Sequence, residues 1–400
     1  MVKITGNSTT SLHLEGSGRS WTLVRSASVL ASDISLPYAA CDDLDALGNV
    51  INIHGSLRTD MAETADPVAL LVHGRKAEIN IGSSGELVSM IGLKILGNAA
   101  RLENSGRIEG STNHHGLLID HVTGGIFRNS GLIAGGDGIL SSDSWSNTIV
   151  NEADGRIRGD YFGVNIVASY GADTRIVNHG VISGASAIQA EFGDVDITNR
   201  GIIKGDVVLG AGADRLDTRG GTISGLIFGG YGADTLLVDD AESRLFEAEA
   251  HAGLDTVKST VSYRLTDGVE QLILLGTKDI RAAGTADSDI LHGNAGANRI
   301  AGLDGIDHLY GEKGNDLLFG GLGTDVFHFD RGDGHDTIVD LHAGGGGFVE
   351  IIDWNGIDNF RELKRHARDR GDDVLISSGE DSILIKGASM ADLRDHDFLF

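Results

Sequence analysis

Five short polar side chains recur at intervals of nine residues: Asp289, Asn298, Asp307, Asp316 and Asp325. Each is the sixth residue of a unit, and the units read GTADSDILH, GNAGANRIA, GLDGIDHLY, GEKGNDLLF and GGLGTDVFH. They open on Gly284, Gly293, Gly302, Gly311 and Gly320; the last four carry a second glycine at Gly296, Gly305, Gly314 and Gly323, and the eighth residue is always apolar. A glycine-rich half takes backbone angles closed to other residues and turns sharply, while a half of the type x-U-x makes a short strand with one inward side chain. Two units then make one coil of eighteen residues. Asp289, Asp307 and Asp325 stack along one edge of such coils, and Asn298 and Asp316 along the other. Stacked carboxylates repel unless a cation sits between them, and the turn carbonyls supply further hard oxygens, which suits Ca²⁺. Asn298 in place of a carboxylate predicts a weaker site, and Asp287 in place of the fourth-position glycine an imperfect first turn.

The pattern is the nonapeptide G-G-x-G-x-D-x-U-x of calcium-binding β-rolls. The stretch therefore resembles the RTX, or haemolysin-type calcium-binding, family. That resemblance implies a secreted bacterial protein, extracellular or at the cell surface, exported by type I secretion machinery through an uncleaved C-terminal signal. A flexible glycine linker needs neither a fixed period nor an apolar residue in register. TVSYRLTDGVEQLILLGTKDI, ahead of the units, resembles the lead-in found in many RTX proteins and reads as strands at 260–265 and 269–275. FDRGDGHDTIVDL, after them, resembles the exit segment, with Asp333 and Asp336 as candidate last ligands. The ending Asp397-Phe398-Leu399-Phe400 is similar to that of serralysin-like type I substrates, which implies an export signal there.

The elements that must position this stretch show a second, longer repeat. Gly55, Gly85, Gly106, Gly131, Gly155, Gly180, Gly201 and Gly221 are each followed two places later by Leu or Ile, and the later spacings of 25, 24, 25, 21 and 20 residues are about one coil of a parallel β-helix. Asn104, Asn129, Asn178 and Asn199 stand two places before such glycines. An unbroken branched-aliphatic column is what an inward ladder needs, and stacked asparagines can bond from coil to coil. A β-sandwich would give alternating strands but no fixed coil length. LGAGADRLD and GGYGADTLL fit the nonapeptide, so Asp214 and Asp234 are further candidate cation ligands; HAGLDTV at 251–257 is a frayed copy.

The expected fold is all-β: a right-handed parallel β-helix (β-solenoid) continuing into a calcium-binding parallel β-roll, with a small C-terminal cap. The expected organisation is an N-terminal cap over 1–48, β-helix over 49–240, transition coils over 241–283, roll over 284–340, and cap with secretion signal over 341–400. Trp21 reads as part of the first cap, or as a ligand-stacking aromatic. In the last, Asn359 and Glu362 form a capping box for an amphipathic helix ending near Gly371, and 374–376 and 383–385 a hairpin. Gly344 to Gly347 read as a hinge, since no Lys, Ser or Thr follows as a P-loop requires.

The chain has 59 glycines, two prolines and 5% aromatics in 400 residues, a composition suited to stacked coils. A formal charge of −26 argues against nucleic acid and anionic membrane and for cations. Cys41, the one cysteine, excludes an internal disulfide. No apolar run has membrane-spanning length and no cleavable leader is visible.

Catalytic chemistry is hard to find. HExxH and G-x-S-x-G are absent, as is the YG-DPH type motif of alginate epimerases. The column three places after each key glycine (Glu109, Ala134, Arg158, Ser183, Lys204, Ser224) reads as a solvated face. Tyr161, Asp173, Arg175 and His179 would have to meet on adjacent coils to act, while His114, His115, His292, His308, His328 and His335 lack transition-metal spacing and read as surface positions. The N-x-G-x-I coils resemble adhesin and autotransporter passengers at the level of fold. The reading is thus a non-catalytic adhesin or matrix component, with cell-surface or matrix polysaccharide as partner; the alternative is a polysaccharide epimerase or lyase on the β-helix.

Overall fold

The computed structural model describes the chain except residues 1, 6, 9–11, 15–17, 25–26, 32–37, 43–46, 60–66, 168–172, 248–252, 342–346, 352–353 and 355. It divides into two compact units, Met1–Gly232 and Ala233–Phe400.

The first unit is a parallel β-solenoid whose coils carry three strand positions. Along one ladder run Val50–Ile53, Glu78–Ile81, Arg101–Asn104, Ile126–Asn129, Asn147–Asn151, Thr174–Asn178 and Val195–Asn199, each paired parallel with the next. A second ladder places Leu57, Leu87, Ile108, Ile133, Ile157, Ile182, Ile203 and Ile223 in one register, the column read from the sequence. A third stacks Leu70, Leu93, Leu117, Ile139, Val164, Ile188, Val207 and Ile227. The three columns meet inside as the core. The key glycines are required by close approach: a Cβ at Gly131 would run into the Gly106 carbonyl, and one at Gly201 into that of Gly180.

The asparagine column is continuous and buried. Asn104 Nδ2 donates to Asn129 Oδ1 (2.7 Å), Asn129 to Asn151 (2.9 Å), Asn151 to Asn178 (2.9 Å) and Asn178 to Asn199 (2.8 Å). Asn151 fills the gap left in the sequence pattern because it precedes Gly155 by four places rather than two. Trp21 is buried and pairs in register with Ile51, so it is an inward ladder residue and not an exposed stacking aromatic. The side chain of Cys41 lies outside the described residues.

The second unit has two parallel ladders. Leu236, Val257, Leu272, Leu291, Leu309, Phe327, Val349 and Phe398 form one inward column. Tyr263, Ala282, Ile300, Leu318, Ile338 and Ile385 form the other. The eighth residues thus alternate between ladders, as an eighteen-residue coil demands. The lead-in strands are shorter than read, Tyr263–Arg264 and Gln271–Leu274.

The helix also is shorter, Phe360–His366, with Asn359 Oδ1 accepting from Glu362 N–H (3.1 Å) and Glu362 accepting from Asp358 N–H (3.0 Å). Ala367–Arg370 leaves it to pair antiparallel with Asp373–Ser378, and Gly371, at φ +70°, serves that hairpin turn instead of a helix end. Asp373–Ser378 pairs in turn with Asp381–Ile385, the hairpin expected. Of the glycine loop at 344–347 only Gly347 is described, as the first residue of strand Gly347–Ile351.

Candidate metal centre

Each sixth residue of the nonapeptides ends a glycine-rich turn and begins a strand, so its side chain lies at the coil edge while the eighth points inward. There the backbone N–H of one sixth residue donates to the carboxylate one coil on. Asp289 N–H reaches Asp307 Oδ1 (2.9 Å) and Asp307 N–H reaches Asp325 Oδ1 (3.1 Å). On the opposite edge Asn298 N–H reaches Asp316 Oδ1 (2.6 Å) and Asp316 N–H reaches Asp336 Oδ1 (2.8 Å). All of these side chains are buried. Asp336 therefore continues the Asn298–Asp316 edge, though twenty residues on instead of eighteen.

The other carboxylate oxygens are the chemically demanding ones. Asp289 Oδ1, Asp307 Oδ2 and Asp316 Oδ2 are buried without a hydrogen-bond partner. A buried charge left this way costs several kcal/mol unless a counter-charge satisfies it. Burial first, and neighbouring carboxylates next, push the carboxyl of Asp289 up to about 6, those of Asp307 and Asp316 to about 7 and that of Asp336 to about 8. Asp325 is raised as well, by burial and then by Asp340.

The glycines complete a cradle of oxygens. A Cβ on Gly302 would collide with Asp307 Oδ2 and lie 2.6 Å from the Gly320 carbonyl oxygen; one on Gly284 would collide with Asp289 Oδ2 and lie 2.7 Å from that of Gly302. One on Gly311 would lie 2.7 Å from Asp316 Oδ2, one on Gly320 would strike Asp325 Oδ2, and one on Gly293 would meet Asn298 Oδ1 at 2.6 Å. Carboxylate and carbonyl oxygens from successive coils thus converge where only hydrogen is tolerated. Gly305, Gly314 and Gly323 turn the chain at φ +119°, +138° and +137°, while Gly296 has its Cα face against the Lys278 carbonyl. An all-oxygen, negatively charged donor set fits Ca²⁺, which these residues would hold as a charge-neutralising bridge between coils. Asn298 fits least: its Oδ1 accepts from Asn294 N–H (2.6 Å) and its Nδ2 donates to Ile280 O (3.2 Å), so the amide needs no ion.

Other acidic groups extend the centre, and Asp340, Asp381, Glu247, Asp255 and Glu270 among them go beyond the ligands read from the sequence. Asp340 accepts from Gly320 N–H (2.9 Å) and Gly321 N–H (3.1 Å), and Asp381, from the C-terminal hairpin, from Gly332 N–H (3.0 Å) and Gly334 N–H (3.1 Å). Asp333, pushed up to about 6 by burial and then Asp330, accepts from Asp330 N–H (2.6 Å). Upstream, carboxylate oxygens of Asp234, Glu247 and Asp255 lie within 4.8 Å of one another. Asp234 N–H donates to Asp255 Oδ1 (2.8 Å) and Asp255 N–H to Glu270 Oε2 (2.9 Å), the nonapeptide pattern ahead of the nonapeptides. The triplet D-x-U, seen in Asp234-Thr235-Leu236 and Asp255-Thr256-Val257, is the signal that finds both. Asp214, in the first unit, accepts from Val195 N–H (2.7 Å).

The remaining candidates do not converge. Arg175 lies 3.8 Å from Asp196, in a ladder other than that of Tyr161, and no described contact joins these two with Asp173 and His179. Nor is His328 a surface residue: it is 8% exposed, its Nε2 lies 2.9 Å from His308 Nδ1, its Nδ1 meets Glu350, and its ring stacks on Tyr310. Burial, opposed by Glu350, lowers its pKa below the ordinary value for histidine.

Residues 281–308, 292–327 and 302–338 match the family model of the RTX calcium-binding nonapeptide repeat in four copies. This stretch is an RTX calcium-binding repeat array. No curated protein matches the chain. Among solved structures, extracellular lipase LipA from Serratia marcescens is similar at 18% identity and a TM-score of 0.28, over 59% of this chain and 44% of the lipase. The chain thus spans less than half of that lipase, and so low a score carries no argument about fold or activity. The RTX array binds Ca²⁺, and among the described residues no helix is long and apolar enough to cross a membrane.

Proposed function

We propose that this is a secreted bacterial protein, exported by type I machinery, whose RTX array folds on calcium outside the cell. Its three-stranded solenoid serves adhesion or an extracellular matrix rather than catalysis. The observation that carries the reading is the set of buried, unpartnered carboxylate oxygens on Asp289, Asp307 and Asp316. In each nonapeptide one inward Leu, Ile or Phe contributes about 1.5–3 kcal/mol, and its one to three glycines offset about 0.5–1 kcal/mol each. The balance is near zero before the buried charge is counted, so an ion decides whether the array is ordered. Extracellular calcium modules bind with Kd on the order of 10⁻⁴ to 10⁻³ M, which leaves the array open inside a cell and closed outside.

The test is hydrogen exchange of the full chain during a calcium titration. Residues 284–340 are expected to pass steeply from unprotected to protected as calcium rises. Full protection in chelator, or an equal response to Mg²⁺, would refute the switch.

A further inference from the structure

In the first unit, the second ladder turns alternate side chains outward, and their ion pairing changes along the stack. Earlier on this ladder the arginines have carboxylates: Arg58 lies 2.6 Å from Glu86, and Arg107 pairs with Glu109. On the first ladder too, Arg128 meets Glu103 (3.6 Å) and Glu152 (3.1 Å), and Arg215 meets Asp196 (3.1 Å). Arg156, Arg158 and Lys204 break this habit. They are exposed and stand in no ion pair or side-chain hydrogen bond among the described residues. In a chain of charge −26, these three cations stand together around one cleft.

The three are placed by rigid register. Arg158 pairs with Ser183 and Ser183 with Lys204, so Arg158 and Lys204 stand two strands, about 10 Å, apart on one outward column. Arg156 sits two residues along the strand from Arg158, about 7 Å away. Between them is a cleft of about 660 Å³, floored by the half-buried Leu132 and Val181 and by Ser183, with Asp154 at its rim. Cations at repeated intervals over a shallow apolar floor match a polymer that alternates anionic groups with C–H faces.

We propose that this cleft binds an acidic glycan chain, with carboxylate or sulfate groups at Arg156, Arg158 and Lys204 and sugar C–H faces on Leu132 and Val181. The proposal deepens the adhesion reading and rests on it for its biological setting, but its chemistry stands on the first unit alone. Arg contributes a bidentate fork to carboxylate or sulfate and Lys a point charge.

The experiment is binding of the full chain, in calcium, to immobilised polygalacturonate, dextran sulfate and neutral dextran, for wild type and two charge-matched variants, R156Q/R158Q and R58Q/R107Q. Binding to one or both acidic polymers, absent on neutral dextran and weakened by salt, is expected. It should fall at least tenfold in R156Q/R158Q and stay within about twofold in R58Q/R107Q. The sulfated and carboxylated arms identify the anion. Equal loss in both variants would reduce the effect to net charge and overturn the site, as would equal binding to neutral dextran or no binding to either acidic polymer. Retention of anionic vesicles or DNA in place of the glycans would overturn the ligand class. Loss of acidic-glycan binding with calcium-dependent cell adhesion intact would sink this inference and leave the adhesion reading standing.

Discussion

Replacing Asp307 by asparagine separates the two roles its carboxylate plays, because the sign of the effect should reverse with calcium. Asp307 Oδ1 accepts the Asp289 N–H, and an asparagine Oδ1 can do the same. What the substitution removes is the charge on a buried group whose second oxygen has no partner. Burial, with Asp289 and Asp325, raises this carboxyl from 3.8 to about 7. Keeping it ionised at pH 8 therefore costs the folded array on the order of 4 kcal/mol, at about 1.4 kcal/mol per tenfold change. In chelator, Asp307→Asn should recover about 2–4 kcal/mol of that and make residues 284–340 more protected than in wild type. In calcium the order inverts. Asp307 faces both Asp289 and Asp325, so its loss weakens two inter-coil sites, each contributing about 2.7 kcal/mol at a calcium concentration of a hundred Kd; the roughly 5 kcal/mol lost outweighs the 2–4 kcal/mol regained and leaves a net deficit of about 1–3 kcal/mol. Segment-resolved hydrogen exchange is the assay, since two compact units make a single unfolding midpoint ill-defined. A change of the same sign in chelator and in calcium would refute the reasoning, for then Asp307 acts through packing and not through charge.

Without calcium, the array should respond to acid. Carboxyls raised to about 6 for Asp289, 7 for Asp307 and Asp316 and 8 for Asp336 hold protons more tightly folded than unfolded. Their contribution is whole below about pH 4 and lost as pH rises through 6 to 8, so protection in chelator should be greatest near pH 4 and vanish by pH 8. In calcium, protons compete for the same oxygens, and the titration midpoint should move to higher calcium as pH falls from 8 to 6. Asn129→Ala should strand the Asn104 amide donor and the Asn151 carbonyl, each buried, at about 1–3 kcal/mol apiece. Denaturation followed in the first unit should show that loss equally in chelator and in calcium.

Period was what the sequence displayed best. Leu57 through Ile223 could be read as one inward column because a single glycine anchors each coil, and Leu291, Ile300, Leu309, Leu318 and Phe327 because nine residues never slip. Where the spacing drifted, legibility failed: Asn151 stands two places out of pattern, yet a longer turn brings its amide back into line. Of the acidic groups missed, Asp381 comes from a C-terminal hairpin whose contact with the stack is set by tertiary docking, while Glu270 holds, ahead of Gln271, the ladder place that Asp289 holds ahead of Ile290, and was hidden by its longer side chain. Ala367–Arg370 misled for a similar reason. Its basic run suits a helix end, but the open edge of Asp373–Ser378 offers a full set of backbone partners. The uneven pairing of arginines was illegible too, since the same residue type is neutralised at Arg58 by Glu86 of the next coil and left bare at Arg158.

The asparagine column has a kinetic counterpart. An amide is donor and acceptor at once, so Asn104 to Asn199 satisfy one another with no outside help, whereas carboxylates only accept and must wait for an ion. The asparagine column therefore has no chemical latch against folding too early. If the chain is threaded through an export conduit, delay there must come from rate alone. Among the described residues every ladder pair in the first unit joins positions 19 or more apart, and such non-local pairing is slow to nucleate. On that condition time would protect the threadable state of one unit, and scarcity of calcium that of the other.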